Sequence, residues 1–103
     1  MPIQTKQQLL ERIRGQSQQF RAYGVKRVGV FGSFRRGQQT QQSDVDLLVE
    51  FDPAQKTFVN FMKLLFFCEE LLGRKVDLLT VESLSPYIGP YILQEVEYVP
   101  LNA

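Results

Sequence analysis

The sequence places two aspartates, Asp44 and Asp46, on either side of one valine. The run from Val45 to Phe51 is rich in apolar and β-branched residues, which predicts a β-strand. Side chains two positions apart on a strand point to the same face, so the carboxylates would lie about 6–7 Å apart along the backbone. Carboxylates at this spacing can bind one or two magnesium ions. A pair of such ions can stabilise both the attacking and the leaving oxygen of a displacement.

A third carboxylate, Asp77, lies in the apolar run Val76-Asp77-Leu78-Leu79, which is typical of an interior strand. A buried carboxylate is unfavourable there unless it is paired or binds a cation. Asp77 is therefore a candidate third metal ligand. We also expect it to act as a general base, which accepts the proton of the hydroxyl group that attacks the nucleotide. The alternative is that Asp77 stands at a strand end and caps a neighbouring backbone group.

Gly32 and Ser33 follow a predicted strand and precede a short helical turn. Backbone N–H groups at such a turn, with the serine hydroxyl, can bind a phosphate. Two arginines follow this Gly-Ser pair, and we expect Arg36 rather than Arg35 to assist in binding the phosphate. Replacement of Gly32 by valine is expected to block nucleotide binding and to leave the fold largely intact. Gly-Ser alone is a weak signal because it is common in turns, and the sequence contains neither a P-loop nor a dinucleotide fingerprint.

The composition excludes several kinds of chemistry. The chain has no histidine and one cysteine, which rules out Ser-His and Cys-His catalysis, histidine-based zinc sites and an intramolecular disulfide. Cys68 lies in an apolar helical run, which is typical of a small core residue. The first residues do not form a signal peptide, and no apolar run is long enough to span a membrane. We therefore expect a cytoplasmic protein.

Charge is distributed unevenly along the chain, although the formal net charge is only +1. Residues 1–36 contain eight Lys or Arg and a single acidic residue, whereas residues 37–103 contain four basic and ten acidic residues. A basic part beside an acidic part fits a site where phosphates meet metal-binding carboxylates. The alternative is that the arginines before position 22 merely line the solvated face of the first helix.

The spacing of apolar, glycine and proline residues predicts a series of helices and strands, with Thr5 and Thr57 as helix N-caps. In chain order they are a helix from Lys6 to Tyr23 ended by Gly24, a strand 25–31, a helical turn 33–36 ended by Gly37, a loop 38–43, a strand 45–51, a helix 58–72 ended by Gly73, a strand 75–81, a helix 83–96 interrupted at Pro90, and a short edge strand at 98–99.

This order predicts an α/β (α+β) fold in which helices pack on a small mixed β-sheet, within one domain that spans residues 1–103. The strands at 25–31 and 45–51 can pair antiparallel across the loop between them. The crossover through the long helix favours a parallel pairing of the strands at 45–51 and 75–81.

The long helix at 58–72 is apolar on most of its surface. One stripe at helical spacing is predicted to pack in the core, and its members are Phe58, Phe61, Leu65, Cys68 and Leu72. Further apolar residues lie outside this stripe, so we expect part of the helix to contact a partner chain. Phe67 is the candidate for that contact because it lies on the same side as Lys63 and Glu70.

Gly32-Ser33, ten further residues and Asp44-Val45-Asp46 together resemble the signature of the DNA polymerase β-like nucleotidyltransferase superfamily. The fuller strings FGSFRRG at 31–37 and SDVDLLV at 43–49 are similar to its minimal nucleotidyltransferase (MNT) branch. Asp77 matches the third carboxylate of that pattern, and the segment from Ser85 to Glu95 also looks like this branch. The resemblance covers about residues 24–99.

The resemblance implies the polymerase β-like palm fold, two magnesium ions and ATP as the substrate. The residues that it implies are Asp44, Asp46 and Asp77 for metal binding and catalysis, and Gly32, Ser33 and Arg36 for the nucleotide. MNT proteins of this kind are typically antitoxins encoded beside HEPN-domain ribonuclease toxins. The resemblance therefore implies transfer of AMP to a tyrosine of the toxin, within a complex of the two proteins and without direct binding of nucleic acid.

Two other functions remain open. An inactive domain would block the toxin by contact alone, although the intact carboxylates favour an enzyme. Nucleotidyl transfer to a small molecule such as an antibiotic is the third hypothesis, and the relatives that do this carry an additional domain.

Overall fold

The computed structural model describes residues 1–101, and its centre is a four-stranded mixed sheet in the order β3-β2-β1-β4. The strands are β1 (Val25–Phe31), β2 (Val45–Phe51), β3 (Val76–Thr80) and β4 (Glu97–Val99). Strand β1 pairs antiparallel with both β2 and β4, whereas β2 pairs parallel with β3. The predicted mixed sheet is confirmed, including the antiparallel and the parallel pair.

Within residues 1–101, five α-helices pack around this sheet. They are α1 (Lys6–Arg14), α2 (Ser17–Ala22), α3 (Gly32–Arg36), α4 (Phe58–Leu72) and α5 (Gly89–Glu95), with single 3₁₀ turns at Pro53–Gln55 and Val81–Ser83. The side chains of Thr5 and Thr57 accept hydrogen bonds of 3.1 Å from backbone N–H groups in the first turns of α1 and α4. Both predicted N-caps are therefore confirmed.

The first helix is interrupted, so the prediction of one helix from Lys6 to Tyr23 is wrong. Helix α1 ends at Gly15, and glycine is a poor helix former. The buried Ser17 hydroxyl donates a 2.7 Å hydrogen bond to the carbonyl of Arg14, an acceptor that a continuous helix would use for its own backbone. These two residues divide the predicted helix into α1 and α2.

The last helix is shorter than predicted, because α5 begins at Gly89 and not near Ser83. Pro90 lies in the first turn of α5 and so does not interrupt a longer helix. Proline is well tolerated in a first turn, where a backbone N–H would have no acceptor within the helix.

The two faces of the sheet differ in what covers them. One face carries the main core, where strand residues such as Val28 and Leu47 pack against apolar residues of α1, α2 and α4. The other face has a smaller core of Phe31, Leu48 and Ile92, which joins the sheet to α5. Because side chains alternate between the faces along a strand, the residues that precede and follow Leu47 in β2 point toward this second face.

Helix α4 contributes Leu64, Cys68 and Leu72 to the fully buried core. Phe58 is 77% exposed, so its predicted place in the core is wrong. Phe67 is partly buried, and its ring packs against those of Phe20 and Tyr23 with centroids 5.4 Å apart in both pairs, while its contact with a partner chain stays a prediction. Within residues 1–101 no helix is long and apolar enough to cross a membrane.

Candidate active site

Asp46 and Asp77 are neighbours across the sheet, because they are register partners in the parallel pairing of β2 with β3. Adjacent strands lie about 4.8 Å apart, and register partners project to the same face. Asp44 lies two residues before Asp46, just outside β2, and is close enough for its charge to raise the pKa of Asp46. The structure thus brings the three aspartates to the end of the sheet where β2 and β3 begin.

The three carboxylates differ in exposure. Asp44 and Asp77 are exposed, whereas Asp46 is partly buried. The prediction that Asp77 lies in an interior strand is wrong, because β3 is the edge strand of the sheet. Its flanking apolar residues point to the opposite face, where Val76 and Leu78 join the main core. Asp77 is therefore accessible from solvent.

Asp46 is the most electrostatically perturbed of these groups. Partial burial and the neighbouring charges of Asp77 and Asp44 raise the pKa of Asp46 from 3.8 to about 6, and Arg36 opposes this rise. Each unit of such a shift corresponds to about 1.4 kcal/mol between the two protonation states. The negative charge of the three aspartates therefore exceeds the positive charge that Arg36 supplies nearby.

This concentration of carboxylates fits a divalent cation with oxygen ligands, since a cation would offset the repulsion that raises the pKa of Asp46. Within residues 1–101 no group of three Asp, Glu, Cys or His side chains is close enough together to hold a metal ion. A cation bound beside Asp46 would draw the exposed side chains of Asp44 and Asp77 toward it.

Gly32 lies directly against Asp46. Phe31 at the end of β1 is the register partner of Asp46, so the chain leaves β1 beside that carboxylate. A Cβ atom at position 32 would come within 2.0 Å of Oδ2 of Asp46, and Gly32 has a φ of +72°, which side chains rarely adopt. The expectation that valine at this position leaves the fold largely intact is therefore wrong, because it would both strain the backbone and displace Asp46.

Ser33 and Arg36 belong to α3, the short helix that begins at Gly32. Ser33 is partly buried in the first turn of this helix, beside the contact between Gly32 and Asp46. Arg36 is close enough to Asp46 to lower its pKa. Arg35 donates a 2.9 Å hydrogen bond from Nε to the carbonyl oxygen of Glu95.

Two residues near the site were not singled out by the sequence reasoning. Glu95 at the end of α5 accepts hydrogen bonds from the Gly32 N–H and from Arg36. The only sequence signal for Glu95 was its place in the C-terminal segment that resembles the MNT branch. Arg74 donates hydrogen bonds of 2.9 Å to the carbonyl oxygens of Thr40 and Ser43, and so holds the loop that leads into Asp44.

A cavity of about 300 Å³ lies between α3 and α5, beside the site. Its lining includes Gly32, Arg36, Ile88, Tyr91 and Glu95. Cys68 lies far from this region in the main core, where burial raises the pKa of its thiol to about 12. Such a thiol remains protonated and unreactive near neutral pH, so the expectation of a core cysteine is confirmed.

Comparison with known proteins agrees with this geometry. The family model for the nucleotidyltransferase domain matches residues 10–99. The chain is 43% identical over 77 residues to the protein adenylyltransferase MntA of Thermococcus cleftensis, a match that covers 75% of this chain and 77% of the relative.

Two solved structures have the same fold. A chain described as a minimal nucleotidyltransferase superposes with a TM-score of 0.80 and 32% identity, over 91% of this chain and 95% of that one. A Shewanella oneidensis complex of a tri-AMPylated HEPN toxin with its MNT antitoxin gives a TM-score of 0.64 and 19% identity, over 91% of this chain and 71% of that one.

The mixed sheet and the carboxylate face define a nucleotidyl-transferring enzyme. The chain belongs to the nucleotidyltransferase domain family, and its resemblance to the minimal nucleotidyltransferases is confirmed.

Proposed function

We propose that this chain transfers AMP from ATP to a tyrosine hydroxyl of a HEPN-type ribonuclease toxin and thereby acts as its antitoxin. The observation that carries the proposal is the register pairing of Asp46 with Asp77, beside a glycine that fits only without a side chain. The name of the Thermococcus cleftensis relative and the AMPylated toxin in the Shewanella oneidensis complex support the protein acceptor.

In this proposal Asp44, Asp46 and Asp77 bind magnesium, as two ions. The excess of negative charge that raises the pKa of Asp46 supports this assignment. When bound, the cations neutralise phosphate charge and polarise the phosphorus that is attacked. Asp46 is the neighbour of both other aspartates, of Asp44 along the chain and of Asp77 across the sheet, so these three side chains would hold the cations together.

The nucleotide phosphates are bound at the start of α3 and by Arg36. Gly32 brings the backbone close to Asp46, so a phosphate held by the Ser33 hydroxyl and nearby N–H groups lies next to the carboxylates. Arg36 adds a positive charge on the same side. These groups would hold the triphosphate in a fixed orientation beside the carboxylates.

Asp77 acts as the general base in the transfer. Its carboxylate accepts the proton of the tyrosine hydroxyl while the phenolic oxygen forms a bond to the α-phosphorus. The bond from the α-phosphorus to the bridging oxygen of the β-phosphate breaks, and pyrophosphate leaves. Asp77 suits this role because it is exposed on an edge strand, where the side chain of another protein can approach it.

We place this activity in one domain that comprises residues 1–103, in the cytoplasm, within a complex of antitoxin and toxin. Direct binding of nucleic acid is not part of the proposal.

The test is to incubate the purified chain with labelled ATP, magnesium and the HEPN-type protein encoded beside it, and to measure label on protein. Asp46→Asn and Asp77→Asn are expected to lower transfer by at least about 100-fold, since neutral amides bind magnesium weakly and cannot act as the base. Glu50→Gln is the matched control. Glu50 lies on the same strand and the same face as Asp46, but it pairs with Arg27 outside the site. Label on a nucleotide acceptor other than the partner protein would refute the proposed acceptor.

The same variants separate catalysis from inhibition by contact. If the unlabelled toxin is silenced equally well by wild type and by Asp46→Asn, the chain acts by binding alone, and the enzymatic proposal is wrong. If only wild type silences the toxin, transfer of AMP is the mechanism.

A further inference from the structure

Glu95 occupies a position where its carboxylate contacts two groups of the proposed nucleotide site. Its Oε2 accepts a 2.8 Å hydrogen bond from the backbone N–H of Gly32, and its Oε1 accepts one of 2.6 Å from Nη1 of Arg36. Both partners are distant in sequence, so these contacts exist only because α5 packs beside α3. The Glu95 side chain is 25% exposed and therefore lies at the rim of the site, not beneath it.

The two donors that Glu95 contacts are of the kind that bind phosphate. A carboxylate and a phosphate both accept charge-assisted hydrogen bonds from arginine and from backbone N–H groups, with similar distances. An N–H group donates one strong hydrogen bond at a time, so Glu95 and a phosphate oxygen cannot both use the Gly32 N–H fully. Arg36 has further N–H groups, but a carboxylate beside it reduces its attraction for a second anion.

Glu95 also adds a fourth negative charge to a region that already holds three aspartates, and its charge contributes to the repulsion felt by Asp46. Its hydrogen bonds to Arg36 and Gly32 nevertheless lower the pKa of Glu95 despite the opposing effect of burial, so the group is ionised near neutral pH. An ionised carboxylate on these donors opposes the arrival of a triphosphate, which carries several negative charges of its own.

We propose that the Glu95 side chain stands in for a nucleotide phosphate in the nucleotide-free protein, and that ATP must displace it from Gly32 and Arg36. This inference rests on the proposed function, and it assigns to Glu95 the control of nucleotide affinity. Displacement requires only rotation of the Glu95 side chain. The main chain at this position is held separately, because Arg35 donates a 2.9 Å hydrogen bond to the Glu95 carbonyl oxygen.

Glu95 could instead position Arg36 for phosphate binding. This role and competition with phosphate predict opposite changes in nucleotide affinity when the carboxylate is removed, so an experiment can separate them. If Glu95 holds Arg36 in the orientation that binds phosphate, removal of the carboxylate weakens nucleotide binding. If Glu95 competes with phosphate, removal of its charge strengthens binding, and does so for any ligand that carries the phosphates.

The experiment measures dissociation constants for ATP and for inorganic tripolyphosphate, each with magnesium, in wild type, Glu95→Gln and Glu95→Ala. Both variants are expected to bind both ligands at least about fivefold more tightly, since one negative charge close to the phosphates is removed. Glu97→Gln is the matched control. Glu97 is a nearby carboxylate that pairs with Lys6 and Arg35, and its removal is expected to leave both constants unchanged.

Weaker or unchanged binding in Glu95→Gln and Glu95→Ala would overturn the inference. Carbon-detected NMR of the wild-type carboxyl groups provides a measurement that does not depend on a variant. Saturating ATP is expected to shift the Glu95 Cδ resonance toward that of a solvated glutamate, and an unmoved resonance in ATP-bound protein would equally overturn the inference. A wild-type chain that binds no ATP would reject the proposed function itself, which distinguishes that failure from a failure of the role of Glu95.

Discussion

Gly32 and Asp46 are in such close contact that the carboxylate oxygen occupies the space where a side chain of residue 32 would begin, 2.0 Å from the ideal Cβ position. The contact couples the turn that is proposed to bind phosphate to the central carboxylate of the site. A change in either residue therefore affects both.

The first prediction uses this contact. Gly32→Ala is expected to lower the free energy of unfolding by about 2 kcal/mol or more, through backbone strain and the collision with Asp46, and to reduce AMP transfer on the order of 100-fold. Gly37→Ala is the control, because Gly37 has the same φ of +72° but no residue beyond its neighbours in the chain comes within 4 Å of its Cβ position. It should lose about 1 kcal/mol of stability and keep its activity. Equal loss of activity in both variants would contradict the prediction.

The second prediction concerns the stability of the metal-free protein. Because the pKa of Asp46 is raised from 3.8 to about 6, the folded state binds a proton there more tightly than the unfolded state, and this contribution to stability is lost as pH rises through that range. Asp46→Asn removes the repulsion. In EDTA at about pH 8 it should melt about 5 °C higher than wild type, after allowance for partial solvent screening.

The difference between Asp46→Asn and wild type should shrink toward about pH 4, where the wild-type carboxyl group is protonated in the folded state. Thermal melts at both pH values, followed by circular dichroism, provide the check. A variant less stable than wild type at the higher pH would show that the charge of Asp46 does not destabilise the fold.

The third prediction concerns Arg74, whose guanidinium joins two parts of the chain. Besides its hydrogen bonds to the carbonyl oxygens of Thr40 and Ser43, it donates one of 2.8 Å from Nε to the carbonyl oxygen of Ile3. Arg74→Lys cannot reproduce this planar set of donors, so we expect a loss of about 1–2 kcal/mol in stability and a drop of about tenfold in transfer as the loop before Asp44 loosens.

Arg12→Lys provides the control for Arg74. Arg12 also donates to backbone carbonyls, including that of Leu71 at 3.1 Å, but it lies away from the carboxylates. The control should lose a similar amount of stability in urea unfolding and retain its rate of AMP transfer. If Arg74→Lys behaves in the same way as this control, Arg74 has no role in positioning the site.

The positions of Asp44 and Asp46 relative to each other were predictable from sequence, because alternation along a strand is a local property. The exposure of Asp77 was not. Its apolar neighbours are the same in an interior and an edge strand, and only the sheet order β3-β2-β1-β4 decides which it is. The parallel register that brings Asp77 beside Asp46 is likewise a tertiary property. It depends on how α4, which connects the two strands in the chain, packs against the sheet.

Glu95 and Arg74 were not predictable for a related reason. Glu95 meets Gly32 across 63 positions of sequence, and Arg74 meets Thr40 across 34. A lone glutamate on a short helix and a lone arginine after a helix carry no periodic signal. Their roles follow from tertiary packing, which places a carboxylate or a guanidinium within reach of backbone groups from another part of the chain.

The last prediction separates Phe67 from Phe66, its neighbour on α4. Phe67 packs against Phe20 in an edge-to-face contact, with ring planes at 76°, whereas Phe66 is 60% exposed. Phe67→Ala is therefore expected to lower the free energy of unfolding by about 2–3 kcal/mol, since it leaves a cavity beside the core. Phe66→Ala should change it by no more than about 0.5 kcal/mol. Urea unfolding of both variants tests this difference, and equal losses would show that Phe67 contributes no more packing to the core than the exposed Phe66.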